Sequence, residues 1–316
     1  MLEYHLTVYG GLDEMAEVRS DDTKFSTTIG CGALIVWSLY AWTVSELLLN
    51  LPIFQTLFLM FGTCFFAMAI RLTLTKKWHL LKQPLLVWVV GVIGVCGSDV
   101  AYLTAVKYAP PAHVDFIDYL WPFLVILFSG FLPREKFTWP HIIGGLLGFI
   151  GVFLLLTGGD GLLGLQKNYM PGYFFAFTAA IIWSLYTIIN RLYRETPIEL
   201  VGMYCGIGAI IALILHFRVE IWVMPSLKES CLVALLGLSS GLAYLLWGYA
   251  TQKGNLKLLG VMAYFTPVLS MGLLVMSGKE PMSYMLIVAC VLVIFGVMVG
   301  SMNWENIKGR FSSLEA

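Results

Sequence analysis

A series of long apolar runs separated by short connections constrains this chain more than any other feature. Lipid offers no water to backbone groups, so a run of about 20 apolar residues crosses a bilayer as a helix. We count ten such runs and predict an all-α polytopic membrane protein with ten transmembrane helices. The runs cover residues 27–48, 53–73, 84–106, 112–132, 140–157, 170–192, 198–217, 228–251, 256–277 and 283–302.

The composition agrees with this fold class. Hydrophobic residues make up 59% of the 316 positions and charged residues only 12%, whereas soluble chains carry about 25% charged residues. The 19 basic residues are balanced by 19 acidic ones, so nothing indicates a nucleic-acid partner. The sequence excludes a soluble globular enzyme and a disordered chain, and it leaves the lipid bilayer and a small-molecule substrate as the expected partners.

Cysteine and histidine patterns predict neither a cofactor nor a metal site. The six cysteines form no C-x-x-C pair, and all lie within or beside apolar runs. We interpret them as small buried hydrophobic residues. The five histidines are scattered, without the spacing of a metal-binding cluster.

The distribution of basic residues predicts the orientation in the membrane. With a cytoplasmic N-terminus, 14 of the 19 Lys and Arg residues fall in the cytoplasmic segments. Cytoplasmic loops are enriched in these residues, so we expect both termini to be cytoplasmic. Residues 1–26 then form an acidic cytoplasmic N-terminal extension, and residues 303–316 a cytoplasmic C-terminal tail.

An internal repeat at an offset of about 145 residues divides the chain in two. Segment 35–40 recurs at 181–186, segment 98–103 at 240–245, and segment 119–124 at 264–269. Each half, 27–157 and 170–302, holds five predicted spans, and an odd number inverts the second half. Inverted repeats are typical of transporters whose substrate site lies near the midplane. The alternative is a duplicated scaffold without a transport role.

Three tryptophans lie near the middle of predicted spans, where their N–H groups need a partner. They are Trp37, Trp121 and Trp183, and we expect them to face a cavity or the bundle interior. Helical spacing groups further polar and aromatic side chains with them. These substrate-binding candidates are Ser98, Asp99, Tyr102, Tyr186, Asn190, Tyr244 and Tyr264.

Two prolines are hinge candidates because they occupy equivalent positions in the two repeats. Pro122 lies near the centre of span four and Pro267 near the centre of span nine. A proline inside a helix removes a hydrogen bond to the carbonyl four residues earlier. We expect these carbonyls to contact the substrate or to let the helices bend. A kink that serves only packing is the alternative.

Acidic residues within apolar runs are functional candidates because a buried carboxylate is costly. Asp99 is expected either to meet a substrate ammonium or to carry a proton, and a structural hydrogen bond is its alternative. His113, Asp115 and Asp118 start span four. They fit an outer vestibule, but a solvated helix start explains them equally well.

The chain resembles the EamA-type members of the drug/metabolite transporter superfamily, over about residues 25–303. Several strings resemble the bacterial aromatic amino-acid exporter branch: Tyr-Leu-Trp-Pro at 119–122 with Ile-Leu-Phe at 126–128, Gly-Gly-Asp at 158–160, Ile-Trp at 182–183, and Tyr-Phe-Thr-Pro-Val-Leu-Ser at 264–270. The resemblance implies a bacterial inner-membrane protein. It also implies that the tryptophans at 37, 121 and 183 line a substrate cavity.

We therefore expect a transporter, not an enzyme, that exports aromatic or apolar amino acids by alternating access. Other substrates, such as S-adenosylmethionine or a lipophilic cation, are alternatives. An intramembrane hydrolase is the alternative from another class, but the G-x-S-x-G string at 237–241 lies inside an apolar run and fits helix packing better. Proton coupling stays open, as does the choice between monomer and homodimer.

Overall fold

The computed structural model describes residues 22–132, 139–157, 167–276, 282 and 284–301, and every regular element within these residues is helical. A π-helical turn, Ile93–Gly97, joins the helices Leu85–Val92 and Ser98–Tyr108. The α-helices are α1 (22–37), α2 (Tyr40–Leu47), α3 (Ile53–Thr75), α4 (Leu85–Val92), α5 (Ser98–Tyr108), α6 (Pro111–Asp118), α7 (Trp121–Ser129), α8 (Trp139–Thr157), α9 (Met170–Leu192), α10 (Leu200–Val219), α11 (Leu227–Lys253), α12 (Leu256–Met262), α13 (Phe265–Met276) and α14 (Tyr284–Ser301).

Many of these helices are long and apolar enough to cross a bilayer. In the described part of the chain, seven helical stretches meet that condition: Asp22–Val44, Ile53–Thr75, Leu85–Tyr108, Lys167–Leu192, Leu200–Val219, Leu227–Lys253 and Leu256–Leu273. Trp139–Leu155 and Tyr284–Gly300 are shorter apolar helices. The predicted multi-pass, all-helical class is thereby confirmed. The count of ten stays a prediction, because α6 and α7 are each too short to span alone.

Both hinge candidates follow an interruption of their helix. α6 ends at Asp118 and α7 begins at Trp121, so Pro122 lies in the first turn of α7. α12 ends at Met262 and α13 begins at Phe265, which puts Pro267 in the first turn of α13. Proline is favoured in a first turn because its missing N–H is not needed there. Each proline thus follows a two-residue turn, 119–120 or 263–264, that interrupts the helix at equivalent places in the two repeats.

Two further irregularities occur only in the first half and were not predicted. A turn at residues 38–39 separates α1 from α2, whereas the equivalent residues 184–185 lie inside the continuous helix α9. The π-helical turn before Ser98 has no counterpart in α11, which is α-helical throughout. Sequence repetition therefore does not extend to local helix geometry.

Close helix contacts occur where glycines face backbone atoms. A Cβ added at Gly144 of α8 would lie 2.5 Å from the carbonyl oxygen of Gly296 in α14, and one added at Gly296 would lie 2.6 Å from that of Gly144. A Cβ at Gly237 of α11 would lie 2.6 Å from the Met60 carbonyl oxygen of α3. The Gly237–Gly241 string thus lies in a packed, continuous helix.

Helices from the two halves interleave around the centre of the molecule. α9 packs against α5, α6 and α7, while α12 packs against α7. α3 lies against both α10 and α11. Large apolar side chains such as Phe66, Leu74 and Ile210 are more than half exposed on the outer faces of these helices. An apolar exterior of this kind suits contact with lipid tails.

Replacing Gly144 with Ala is expected to destabilise the protein by about 1–3 kcal/mol, because the new methyl group meets backbone atoms that cannot move aside. The midpoint of thermal unfolding in detergent measures the effect. Gly272→Ala is the matched control, since a Cβ there meets no atom within 4 Å. Equal midpoints for the two variants would contradict the described contact between α8 and α14.

Candidate functional site

A cavity of about 140 Å³ lies beside the helix breaks. Its volume is below the ~300–1,000 Å³ typical of drug-sized pockets, so it suits a small solute. Aromatic rings, hydroxyl groups and carboxyl groups share its wall. The lining residues are Trp37, Tyr40, Ser98, Asp99, Tyr102, Asp115, Asp118, Tyr119, Trp121, Ala179, Trp183, Tyr244 and Thr266.

The three tryptophans predicted to face the interior come together at this cavity. The Trp37 ring centroid lies 5.6 Å from that of Trp183 and 6.5 Å from that of Trp121, and the last two are 6.4 Å apart. All three pairs meet edge to face, the arrangement that aromatic quadrupoles favour. The Ser184 hydroxyl of α9 donates to the Trp121 carbonyl oxygen at 3.0 Å, which ties α9 to the first residue of α7.

A fourth tryptophan, Trp247, supports this group from behind the cavity wall. It is 1% exposed, and its ring centroid lies 5.5 Å from that of Trp37 and 5.4 Å from that of Trp121. Its indole nitrogen donates to the Thr187 hydroxyl at 3.3 Å. The sequence placed Trp247 on the same helix face as Tyr244, but it was not among the predicted site residues.

Three carboxyl groups line the cavity: Asp99 lies on α5, and Asp115 and Asp118 lie on α6. The Tyr244 hydroxyl donates to Asp99 Oδ2 at 2.6 Å, and the Tyr102 hydroxyl donates to Asp115 Oδ1. Within the described residues, Asp118 receives no side-chain hydrogen bond, and no lysine or arginine lines the cavity. Asp115 and Asp118 belong to the cavity wall, which corrects their interpretation as a solvated helix start, whereas their role in an outer vestibule stays a prediction.

Two hydroxyl groups of the cavity wall lack a hydrogen-bond partner among the residues that the structure describes. They are Tyr40 Oη and Thr266 Oγ1, and both atoms are buried. Buried polar groups nearly always have a partner, so these hydroxyls are sites for water or a bound solute. Neither was predicted. Each has a sequence signal: Tyr40 ends the repeated segment whose second copy ends at Tyr186, and Thr266 lies in the Tyr-Phe-Thr-Pro-Val-Leu-Ser string at 264–270.

Three predicted site residues do not line this cavity. Tyr186 lies behind Trp183, at a centroid distance of 5.5 Å. Asn190 lies seven residues, or about two turns, beyond Trp183 on α9, beside a second cavity of about 30 Å³. Tyr264 is 0% exposed and packs against α8, where a Cβ at Gly148 would meet its ring at 2.4 Å. Helical spacing placed Tyr186 and Asn190 on the same face of α9 as Trp183, but that face extends beyond the end of the cavity.

A network of side-chain hydrogen bonds joins α9 and α11 beyond Trp247. The Gln252 side-chain amide donates to Asn190 Oδ1 at 3.0 Å and to the Thr196 carbonyl oxygen at 2.9 Å. Asn190 donates to the Thr251 hydroxyl at 2.9 Å. Asn190 is seven residues beyond Trp183 on α9, an axial distance of about 10 Å. The network therefore joins α9 to α11 on one side of the tryptophan group, and the carboxyl groups of α6 lie on the other side.

The fold and the site define a multi-pass membrane protein that encloses a small solute cavity, the usual arrangement of a transporter. The EamA-like transporter family matches residues 25–157 and 170–302. The chain belongs to this family, which confirms the resemblance seen in the sequence. The two matched segments correspond to the two halves of the internal repeat.

Curated relatives and a solved structure agree with this classification. The aromatic amino acid exporter YddG of Ancylobacter novellus is 35% identical over 278 residues, covering 88% of this chain and 97% of that protein. The exporter YddG of Escherichia coli is 28% identical and covers 59% of this chain and 67% of its own. A crystal structure with 35% identity superposes with a TM-score of 0.82, covering 88% of this chain and 96% of the other.

A more distant relative is named for a different solute. The S-adenosylmethionine uptake transporter of Rickettsia prowazekii is 24% identical over 135 residues, which is 42% of this chain and 43% of that protein. The chain is thus similar to transporters named for more than one type of solute. Its similarity to the aromatic amino acid exporters extends over more of its length.

Two tyrosine-to-phenylalanine substitutions test the hydrogen bonding of the cavity wall. Tyr244→Phe removes the hydroxyl that donates to Asp99 and is expected to lower the free energy of unfolding by about 1.5–3 kcal/mol. Tyr40→Phe removes a hydroxyl that has no partner, so we expect an unchanged or higher midpoint of thermal unfolding. If Tyr40→Phe destabilises the protein as much as Tyr244→Phe does, the described wall is incorrect.

Proposed function

We propose that the protein is a bacterial inner-membrane exporter of aromatic or apolar amino acids and that the 140 Å³ cavity is its binding site. The observation that carries this proposal is the meeting of Trp37, Trp121 and Trp183 at the cavity wall. Their rings offer faces and edges against which an aromatic side chain packs favourably. The similarity to the aromatic amino acid exporters supports the same substrate class.

The proposed membrane topology has ten spans in two inverted five-helix repeats, 27–157 and 170–302, with both termini cytoplasmic. Three observations support it: the two family matches, the equivalent helix breaks before Pro122 and Pro267, and the asymmetry of the basic residues. The acidic extension, the C-terminal tail and the Gly-Gly-Asp string at 158–160 lie wholly or largely outside the described residues.

In this topology the cavity lies on the outer side of the Asn190–Gln252 network. His113 of α6 lies 3.0 Å from the Tyr173 hydroxyl near the start of α9, whereas the Asn190–Gln252 network lies at the end of α9. The orientation that puts both termini in the cytoplasm puts the network on the cytoplasmic side. Alternating access then requires this network to part while the outer end closes.

The breaks before Pro122 and Pro267 are the proposed hinges. A Cβ at Gly260 of α12 would lie 3.0 Å from the Pro122 carbonyl oxygen, so α12 runs directly against the start of α7. Because α12 and α7 are packed directly on each other, we expect a change of angle at one break to move the other. Proton coupling through Asp99 stays a prediction.

A hydrolase is less well supported than transport. The Ser239 hydroxyl donates to the Leu236 carbonyl oxygen at 3.1 Å inside the continuous helix α11. A G-x-S-x-G nucleophile instead needs a sharp strand-to-helix turn that exposes its hydroxyl. The relatives reported above are named as transporters.

Radiolabelled tryptophan is expected to enter proteoliposomes that contain the wild-type protein, and Trp183→Ala is expected to weaken its binding by about 1–3 kcal/mol. The loss of the ring face is the physical reason. Trp139→Ala is the matched control because Trp139 is 69% exposed on α8. Unchanged affinity in Trp183→Ala would remove Trp183 from the site. A well-folded protein without flux for any amino acid would contradict the proposed function.

Pro122→Ala and Pro267→Ala are expected to slow transport while leaving the Kd for substrate within about twofold. A restored N–H allows the two half-helices to join, which stiffens the hinge. Rates of counterflow in proteoliposomes and equilibrium binding in detergent separate the two effects. Pro171→Ala is the control, since Pro171 lies in the first turn of the unbroken helix α9. Full transport rates in both hinge variants would refute the hinge.

A further inference from the structure

The charge of the cavity wall does not match a zwitterionic amino acid. Asp99, Asp115 and Asp118 supply three carboxyl groups. None of the described lining residues is a lysine or an arginine, so no cation of the wall offsets them. An amino acid would bring a carboxylate beside these three carboxyl groups. Its ammonium group is attracted by the wall, but its carboxylate is repelled in surroundings where charge is poorly screened.

The three carboxyl groups are not equally available to a ligand. Asp99 and Asp115 already accept hydrogen bonds from Tyr244 and Tyr102. Asp118 accepts no side-chain hydrogen bond in the part of the chain described. It ends α6, immediately before the helix break, and lies at the cavity wall with Tyr119 and Trp121. Asp118 is therefore the carboxyl group best placed to receive an ammonium from a bound solute.

Independent features of the cavity also indicate a ligand. Thr266 is only 6% exposed, its hydroxyl has no partner among the described residues, and it lies in the cavity wall. The side chains of Trp37 and Trp183 border the same space. Indole faces attract cations as well as aromatic rings. A hydroxyl, aromatic faces and an unpaired carboxyl group thus converge on one small volume.

We propose that this cavity binds aromatic ammonium compounds that lack a carboxylate, of the arylalkylamine class, more tightly than the corresponding amino acids. The aromatic ring packs against the tryptophans, and the ammonium donates to Asp118 and to the Thr266 hydroxyl. The inference rests on the proposed function, because it concerns the same cavity and names a further substrate class for it. Zwitterionic amino acids bind in the same orientation, with their carboxylate facing the acidic wall.

A matched series of three indole compounds tests the inference on the full-length protein in detergent. L-tryptophan carries both charged groups, tryptamine lacks the carboxylate, and indole-3-propionate lacks the ammonium. Calorimetric titration is expected to give tryptamine a Kd at least about tenfold below that of tryptophan, the equivalent of one charge-assisted interaction. Indole-3-propionate is expected to bind most weakly. Equal affinities, or the reverse order, overturn the inference without any variant.

Asp118 variants test which group receives the ammonium. Asp118→Asn is expected to raise the Kd of tryptamine about tenfold and to change that of indole-3-propionate by less than about threefold. A general loss of structure would weaken both ligands alike. Asp118→Glu keeps the charge and is expected to restore most of the preference for tryptamine. Glu46→Gln is the control, because Glu46 pairs with Lys228 at 3.0 Å and does not line the cavity.

Transport assays separate this inference from the proposed function. Tryptamine uptake into proteoliposomes, competed by excess unlabelled tryptamine, supports the inference whether or not tryptophan moves. Tryptophan flux without tryptamine binding overturns the inference and leaves the exporter proposal intact. Tryptamine flux without flux of any amino acid contradicts the amino-acid proposal and supports the inference. Absence of binding and flux for all three compounds overturns both.

Discussion

The interruption of paired helices at the centre of the bundle is the constraint on which the rest of this structure depends. Residues three apart share a helix face, and Asp118 at the end of α6 and Trp121 at the start of α7 both reach the cavity from the two sides of the break before Pro122. The equivalent break before Pro267 lies beside Thr266, which lines the same cavity. The two interruptions therefore lie in the wall that carries aromatic and acidic side chains of the site.

Much of this arrangement could be predicted from the amino-acid sequence. The N–H groups of mid-span tryptophans need a partner, which favours an interior position, and Trp37, Trp121 and Trp183 indeed meet there. Asp99 and Tyr244 were predicted on separate helices and are joined by a hydrogen bond. These predictions succeeded because each rests on the cost of placing a polar group in hydrocarbon, which does not depend on the details of packing.

Other parts of the site could not be predicted because they depend on packing between distant segments. Asp115 and Asp118 look like a solvated helix start until α9 is seen to cover them. Tyr40 lines the cavity with Trp37 from the other side of the turn at residues 38–39, an interruption that contains neither proline nor glycine. Tyr186 and Asn190 share a helix face with Trp183, but the face extends past the cavity into the closed network beyond Trp247. Periodicity identifies a face without showing where along it a cavity ends.

The proposed binding of an aromatic solute among the three tryptophans is tested most directly by a bound heavy atom. Anomalous diffraction from crystals soaked in 5-bromotryptophan locates the bromine without reference to any interpretation of the site. We expect one bromine peak inside the cavity, with the indole ring about 4.5–7 Å from the Trp37 and Trp183 ring centroids. A peak only at the second cavity beside Asn190, or only on the lipid-facing surface, would contradict the claim.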